Sequence, residues 1–391
     1  MPAHGVGGLE DHVLMLAKGV AKKGNKITVI TTKHPKNKLY EKAGGIEIYY
    51  LKNTLPGKYS ASWWEESVKK FEELNKKERF DIVHSQSTGA LCFLKKKMNK
   101  KYGIPVVISM HGTHIDEIKT IKNTYFSWKH PISTVKGIIL LLFYKYRYFS
   151  ERSTIKSADI IIATSNEQRV VIKNNYFFDN KDIRTVFNGI NTKTFAPKSS
   201  NRIRKKYKIK KEKIILSVSK LEKEKGVQNI IKALPNIIKK SDAKLIVVGD
   251  GSYSGELKRM VSKLDMQKYV IFTGSVPLNE LPNFFNECDV FVNPTIRQNG
   301  YDLTILEAMS CKKPVIVSKI GSVPTAVSSK EGILVKPSNI KELSNAVIRI
   351  LNNQQLARKL GKNARKKVVG HFSLENMVNK TIDVYKSLVN K

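Results

Sequence analysis

Short runs rich in Val and Ile, each followed by a stretch of helical periodicity, recur along most of the chain. One series comprises Lys26–Thr32, Ile46–Leu51, Asp81–His84, Pro105–Met110, Asp159–Thr164 and Arg184–Phe187. A second comprises Lys213–Ser219, Lys244–Gly249, Tyr269–Thr273, Asp289–Asn293, Pro314–Ser318 and Gly332–Val335. Strands that are apolar on both faces must be covered on both faces, which is the condition of a parallel sheet flanked by helices. Two such series predict an α/β protein of two Rossmann-like, doubly wound parallel-sheet domains. The length of 391 residues suits two domains of ordinary size, and an apolar content of 41% supplies two cores.

The turn signals in Asn188-Gly-Ile-Asn-Thr-Lys-Thr-Phe-Ala-Pro197, followed by a polar, basic stretch over 198–211, place the seam between the domains. The expected limits are 1–195, 196–372 and a final amphipathic helix over 373–391. A doubly wound domain usually opens with a strand in mid-sheet, yet here a glycine-rich loop, Gly5-Val-Gly7-Gly8, leads at once into a helix pattern over Leu9–Lys22. The first strand of the N-terminal domain is therefore expected to be missing. Either the native chain has residues upstream of Met1, or the later strands close the sheet in another order.

Lys and Arg number 70 against 33 Asp and Glu, a formal net charge of +37. Such a surface favours nucleotides, nucleic acid or an acidic membrane face, although the Lys residues are spread along the whole chain and equally fit a Lys-rich composition. Cys92, Cys288 and Cys311 form no CxxC spacing, which suits a reducing compartment and offers no metal or disulfide framework. No N-terminal signal peptide is visible, and the apolar run Gly137–Tyr144 falls well short of the roughly 20 residues a spanning helix needs. The expected location is cytoplasmic, with the inner face of the cell membrane as a possible peripheral address.

Four clusters carry chemistry. Asn299-Gly300-Tyr301-Asp302-Leu303-Thr304 follows a strand and opens the helix that holds Glu307. Unpaired amides at a helix start suit a phosphate, and a carboxylate one turn in suits a ribose diol; Asp302 as a plain N-cap and Glu307 as a favourable first-turn charge fit the same residues. Lys220-Leu-Glu-Lys-Glu-Lys225-Gly226 follows the first strand of the second series, at the edge where open parallel sheets bind ligands. Two cations there could neutralise a leaving diphosphate, or simply decorate a solvated loop. Gly7 and Gly8 allow a backbone to approach a ligand closely. Met110-His111-Gly112-Thr113-His114 ends a strand; it lacks a third metal ligand and fits a polar contact to a sugar or turn chemistry. Neither a GxxxxGK[ST], an HExxH nor a GxSxG motif occurs, and no nucleic-acid recognition module is present.

Taken in order, Gly7-Gly8, His111-Gly112, Asn188-Gly-Ile-Asn191 with Phe195 and Pro197, Lys220-Leu with Lys225-Gly226, Val248-Gly-Asp-Gly251, Asp289-Val-Phe-Val-Asn-Pro294, Leu306-Glu-Ala-Met309 and Pro314-Val-Ile316 resemble the family-4 glycosyltransferases of GT-B fold. The likeness is collinear over nearly the whole chain. It implies retaining transfer of a sugar from a nucleotide-sugar donor to a glycan or lipid-linked acceptor, without a metal or other cofactor, in cell-surface glycan or glycolipid assembly. It implies that the last helix crosses back to the first, acceptor-side domain. Residue by residue, it implies Glu307 on the donor ribose and Lys220 and Lys225 on the diphosphate. His111 would contact the transferred sugar, Gly7 and Gly8 would line the phosphate and acceptor side, and the amides of Asp302 and Leu303 would face the donor. The backbone around Gly274-Ser-Val276 would meet the base.

The chain departs from the family's pattern at several of these positions. Asn299 stands where a second Glu is usual, and Gly300-Tyr301-Asp302 replaces Gly-Phe-Gly, with Asp302 as a nearby substitute carboxylate. Lys220 stands for Arg, Ser219 for Gly, Lys312 for Gly and Thr325 for Glu. The changes at Asn299 and Gly300-Tyr301-Asp302 are expected to alter sugar recognition, and Lys220 replaces a bidentate fork by a point charge; a non-catalytic or truncated protein that binds sugar nucleotides or an anionic membrane is the alternative. The stretch Lys119–Ser157 interleaves aromatics with cations and fits either a buried helix with a basic outer face or an interfacial helix on an anionic membrane.

Overall fold

The computed structural model describes residues 8–125, 131–176, 181–298 and 300–389. It divides into two compact units. One takes the chain to Ile115, Ile139–Gly189 and the end from Leu374; the other is Asp116–Ile138 with Ile190–Ser373.

In the first unit the strands are β1 (Ile27–Thr32), β2 (Tyr40–Ala43), β3 (Ile46–Leu51), β4 (Val83–Gln86), β5 (Val106–Met110), β6 (Ile160–Ala163) and β7 (Asp182–Thr185). They form two sheets, β1-β3-β2 and β4-β5-β6-β7, so β1 and β4 are each an edge strand. All pairings are parallel except β2 on β3. The hairpin between β2 and β3 turns through Gly44 and Gly45 at φ 63° and 81°, the left-handed pair that a tight hairpin requires. β2 has no counterpart among the apolar runs because its residues, Tyr-Glu-Lys-Ala, alternate between exposed and half-buried on a sheet margin.

Helix Gly8–Ala21 packs Leu16 and Val20 into a cluster with Val107, Ile160 and Ile162 of the sheet and Met377, Val378 and Val384 of the last helix, Leu374–Val389. A Cβ on Gly19 would lie 2.4 Å from Val378, so the two helices touch there. Helix Pro131–Ser157 buries Glu151, Thr154 and Ile155 near its C-terminal end, but its apolar run is not buried: Ile138, Ile139, Leu142 and Phe143 are exposed.

The second unit holds β8 (Lys213–Val218), β9 (Ala243–Val248), β10 (Val270–Gly274), β11 (Val290–Asn293), β12 (Val315–Ser318) and β13 (Gly332–Val335) in one parallel sheet of order β10-β9-β8-β11-β12-β13. Its core joins Ile215, Leu245 and Val290 of the sheet to helices Val227–Ile238 and Ile340–Leu351. The strand order reverses between β8 and β11. Loops leaving the C-terminal ends of two such strands diverge and open a crevice, the usual ligand site of open α/β sheets. Among the described residues no helix is long and apolar enough to cross a membrane.

Candidate active site

Lys220 and Lys225 lie on the loop that leaves β8, and residues 294–302 follow β11, so both expected clusters meet at this switch point. The two loops are locked together. Ile296 donates its amide to the Glu224 carbonyl at 2.9 Å, and Thr295 Oγ1 donates to the same oxygen at 3.1 Å. Gly226, at φ 74°, lies so close that a Cβ would be 1.9 Å from the Pro294 carbonyl oxygen. On the other side, Gly249, at φ 125°, would set a Cβ 2.0 Å from the Ser219 carbonyl oxygen, and the Leu221 amide donates to Asp250 at 2.9 Å. These glycines are required by backbone approach and left-handed geometry together.

Lys225 keeps only 13% of its side chain exposed and is ion-paired with Asp302, which is covered to the same degree. Arg297 Nη2 lies 3.4 Å from the same carboxylate, and Asn293 Nδ2 donates to it at 2.9 Å. Burial works to raise the Asp302 carboxyl, but the Lys225 ammonium and the Arg297 guanidinium outweigh it and hold the carboxyl well below the usual carboxylate range. Asp302 occupies the N-cap position of helix Leu303–Ser310, yet its side chain does not cap that helix. The carboxylate is spent on Lys225 and Arg297. The first-turn amides of Leu303 and Thr304 therefore receive nothing from it, and the substitute carboxylate expected for donor recognition is turned inward to the cations.

Lys220 is 70% exposed in its side chain and pairs with Glu222 Oε1 at 3.1 Å; such a surface pair holds little and leaves the ammonium free to move. Glu307 lies half-buried one turn into the helix. Tyr301 is buried against Phe372, with ring centroids 6.3 Å apart, so its ring serves packing. Gly300 adopts φ 61°, and Gly274, at φ 69°, accepts the Gly249 amide at 2.9 Å beside half-buried Val276. Asn299 and Gly7 lie outside the described residues, and Gly8 opens the first helix.

The buried polar atoms Ser219 Oγ, Asn229 Nδ2, Asn293 Oδ1 and Thr304 Oγ1 have no hydrogen-bond partner among the described residues. All four lie at the C-terminal ends of β8 and β11 or in the first turns of the helices that follow. An unmet buried polar group costs about 1–3 kcal/mol. Together they offer a polar ligand groups to bond at this sheet edge. Lys312 adopts φ 62° just past helix Leu303–Ser310. Glycine would be at ease there and lysine costs about 1 kcal/mol.

His111, at the end of β5 in the first unit, belongs to a half-buried chain that the sequence did not announce. Its Nε2 lies 2.7 Å from Gln86 Oε1, and its ring meets His12 edge to face at 4.8 Å. His84 binds Tyr385 through Nδ1 at 2.6 Å and Ser109 through Nε2 at 2.8 Å. Because Gln86 Oε1 only accepts, His111 carries its proton on Nε2 and presents Nδ1 as an acceptor, the atom able to receive a sugar hydroxyl. Burial lowers His12 to about 4 and His84 to about 3, and lowers His111 well below the ordinary value; His12 and His84 each add to the shift of His111. The three rings are neutral near pH 7.

A histidine depressed by folding takes up its proton more readily when unfolded. Stability is therefore full above the unfolded value of 6.5 and is lost as pH falls from there toward the folded values. For His12 alone, the drop from 6.5 to about 4 corresponds to roughly 3 kcal/mol. Thermal unfolding of the first unit between pH 7.5 and 4 is expected to fall steeply, and less steeply in His12→Asn; parallel curves for the two proteins would contradict this assignment.

A family model described as Glycosyltransferase Family 4 matches residues 6–194, and one described as Glycosyl transferases group 1 matches residues 199–367. Among curated relatives, the N-acetyl-α-D-glucosaminyl L-malate synthase of Bacillus anthracis is 27% identical over 95% of this chain and 91% of its own. The UDP-Gal:α-D-GlcNAc-diphosphoundecaprenol α-1,3-galactosyltransferase of Escherichia coli is 28% identical over 81% of this chain and 78% of its own. Among solved structures, a sucrose-phosphate synthase from Thermosynechococcus elongatus superposes with a TM-score of 0.81 at 22% identity, covering 98% of this chain and 94% of that one. With both matches collinear and the site residues at the sheet edge that the fold reserves for ligands, the chain belongs to the family-4 glycosyltransferases of GT-B fold.

Proposed function

We propose that this protein transfers a hexosyl group from a nucleoside-diphosphate sugar to a hydroxyl of a glycan or lipid-linked acceptor, with retention of anomeric configuration and without a metal. The observation that carries the donor site is the set of cations, unmet polar atoms and first-turn helix amides at the β8/β11 edge. Glu307 would accept hydrogen bonds from the ribose diol. Lys220, Lys225 and the amides of Leu303 and Thr304 would take the diphosphate, with the donor phosphates sharing Lys225 with Asp302.

In the reaction the bond from the anomeric carbon to the diphosphate oxygen breaks, and the diphosphate leaves with the electron pair. The acceptor oxygen bonds to the same face of that carbon, and its proton passes to a diphosphate oxygen. The cations stabilise the charge that develops on the leaving group. His111, neutral and with Nδ1 as acceptor, would hold a hydroxyl of the transferred sugar. A UDP-sugar is the first donor to test, since a relative of this chain is named for UDP-Gal.

Thermal unfolding measured with UDP-, GDP- and other nucleotide-sugars tests the reading. One donor is expected to raise the transition by the mass-action term, about 2.7 kcal/mol at a hundred times its Kd. Glu307→Ala should lose about 1.5–3 kcal/mol of that binding, a tenfold to hundredfold weakening. Equal stabilisation of wild type and Glu307→Ala by the best donor would remove Glu307 from the site.

A further inference from the structure

Helix Pro131–Ser157 exposes a single stripe of large apolar side chains: Ile139 at 63%, Leu142 at 64%, Phe143 at 49%, Tyr146 at 76% and Phe149 at 67%. The three- and four-residue spacing puts them on one side of the helix. Lys145 and Arg152 are exposed beside them, and the helix's one acidic residue, Glu151, is 3% exposed, bound to the His114 amide at 2.9 Å and to the Tyr176 hydroxyl. The outward side of this segment is thus apolar and cationic.

Phe143 and Tyr146 of the stripe also line a cavity of about 400 Å³ in the first unit, together with Tyr59, Trp64, Lys95 and Arg147. Tyr59 and Trp64 lie 5.8 Å apart between ring centroids, and the Arg147 guanidinium sits 5.4 Å from the Phe143 ring. None of the described lining residues is a carboxylate. Aromatic walls with two cations suit a phosphate joined to a sugar or polyol, and the stripe that shares Phe143 and Tyr146 with the cavity suits an apolar chain continuing from it.

We propose that this face docks on an anionic membrane, with the stripe among the acyl chains at the headgroup boundary and Lys95 and Arg147 holding the phosphate of a lipid headgroup in the cavity. A stripe of this kind sits at the headgroup level of a bilayer, and its cations favour an anionic leaflet. The identification of that headgroup as the glycosyl acceptor rests on the transferase reading; the docking itself does not.

Flotation of the full chain with vesicles of phosphatidylcholine and phosphatidylglycerol at low salt, against phosphatidylcholine alone, tests the proposal. Wild type is expected to float with the anionic vesicles and to be released by high salt. The double variant Tyr146→Ser/Phe149→Ser should partition at least tenfold less. Arg147→Gln should weaken binding while leaving the stripe intact. All three proteins should keep the wild-type thermal transition and donor-induced shift, which separates a lost surface from a lost fold. Failure of the wild type to float, or undiminished flotation of the double variant, overturns the proposal while leaving a donor shift, and with it the transferase reading, untouched. Competition by millimolar glycerol phosphate that strips the protein from vesicles would overturn the membrane source in favour of a soluble phosphate.

Discussion

Asp302→Ala is expected to destabilise the second unit by about 3–5 kcal/mol, the usual cost of removing one partner from a buried ion pair. The Lys225 ammonium would face the Arg297 guanidinium with no anion between them, and Asn293 Nδ2 would lose its acceptor. Chemical denaturation followed by circular dichroism measures the loss. The double variant Lys225→Met/Asp302→Leu should recover most of it, because two matched apolar groups leave no uncompensated charge. The single variant should also respond more strongly to inorganic pyrophosphate than wild type does, since an anion would fill the place of the carboxylate. A loss below about 1 kcal/mol would mean that the pair is solvated and weak. The Asp302 carboxyl is held low by folding, so the stability it contributes is present above about pH 4 and lost below it.

Gly226→Ala should be at least as damaging. At φ 74° the new methyl group meets both the left-handed penalty, about 1–2 kcal/mol, and a carbonyl oxygen 1.9 Å away. Neither side can give cheaply, because Pro294 follows β11 directly and Gly226 stands immediately before helix Val227–Ile238. The variant is expected either to fail to accumulate as a folded protein or to separate the β8 and β11 loops and lose donor-dependent stabilisation. Gly255→Ala, with nothing within 4 Å of its Cβ, is the matched control and should behave as wild type. Normal stability and donor response in Gly226→Ala would show that the two loops are not clamped in solution.

Much of the fold is legible because parallel strands advertise themselves: Ile160-Ile-Ile-Ala163 and Leu245-Ile-Val-Val248 have no polar side to disguise them. β2 escaped because an edge strand of Tyr-Glu-Lys-Ala owes its pairing to β3 and the Gly44-Gly45 turn rather than to its own composition. Helix Pro131–Ser157 was ambiguous for a different reason: a helical apolar stripe looks the same whether it faces a core or solvent, and only the packing decides. The placement of Lys220 and Lys225 after β8 and of Glu307 in the helix after β11 is legible from the apolar runs that precede them. The inward turn of Asp302 is not, since its partner lies 77 residues away in sequence. The histidine chain escaped for the same reason: His12, His84 and His111 come from three separate elements and share a site only once β4 and β5 are paired.

The most direct test of glycosyl transfer is release of nucleoside diphosphate from each nucleotide-sugar by the purified chain, with and without lipid-phosphate acceptors, beside Glu307→Gln and Lys220→Gln. Turnover is expected with one donor, accelerated by an acceptor and reduced at least tenfold in each variant. Turnover unaffected by both substitutions, or neither turnover nor binding with any donor, would contradict the assignment of this site.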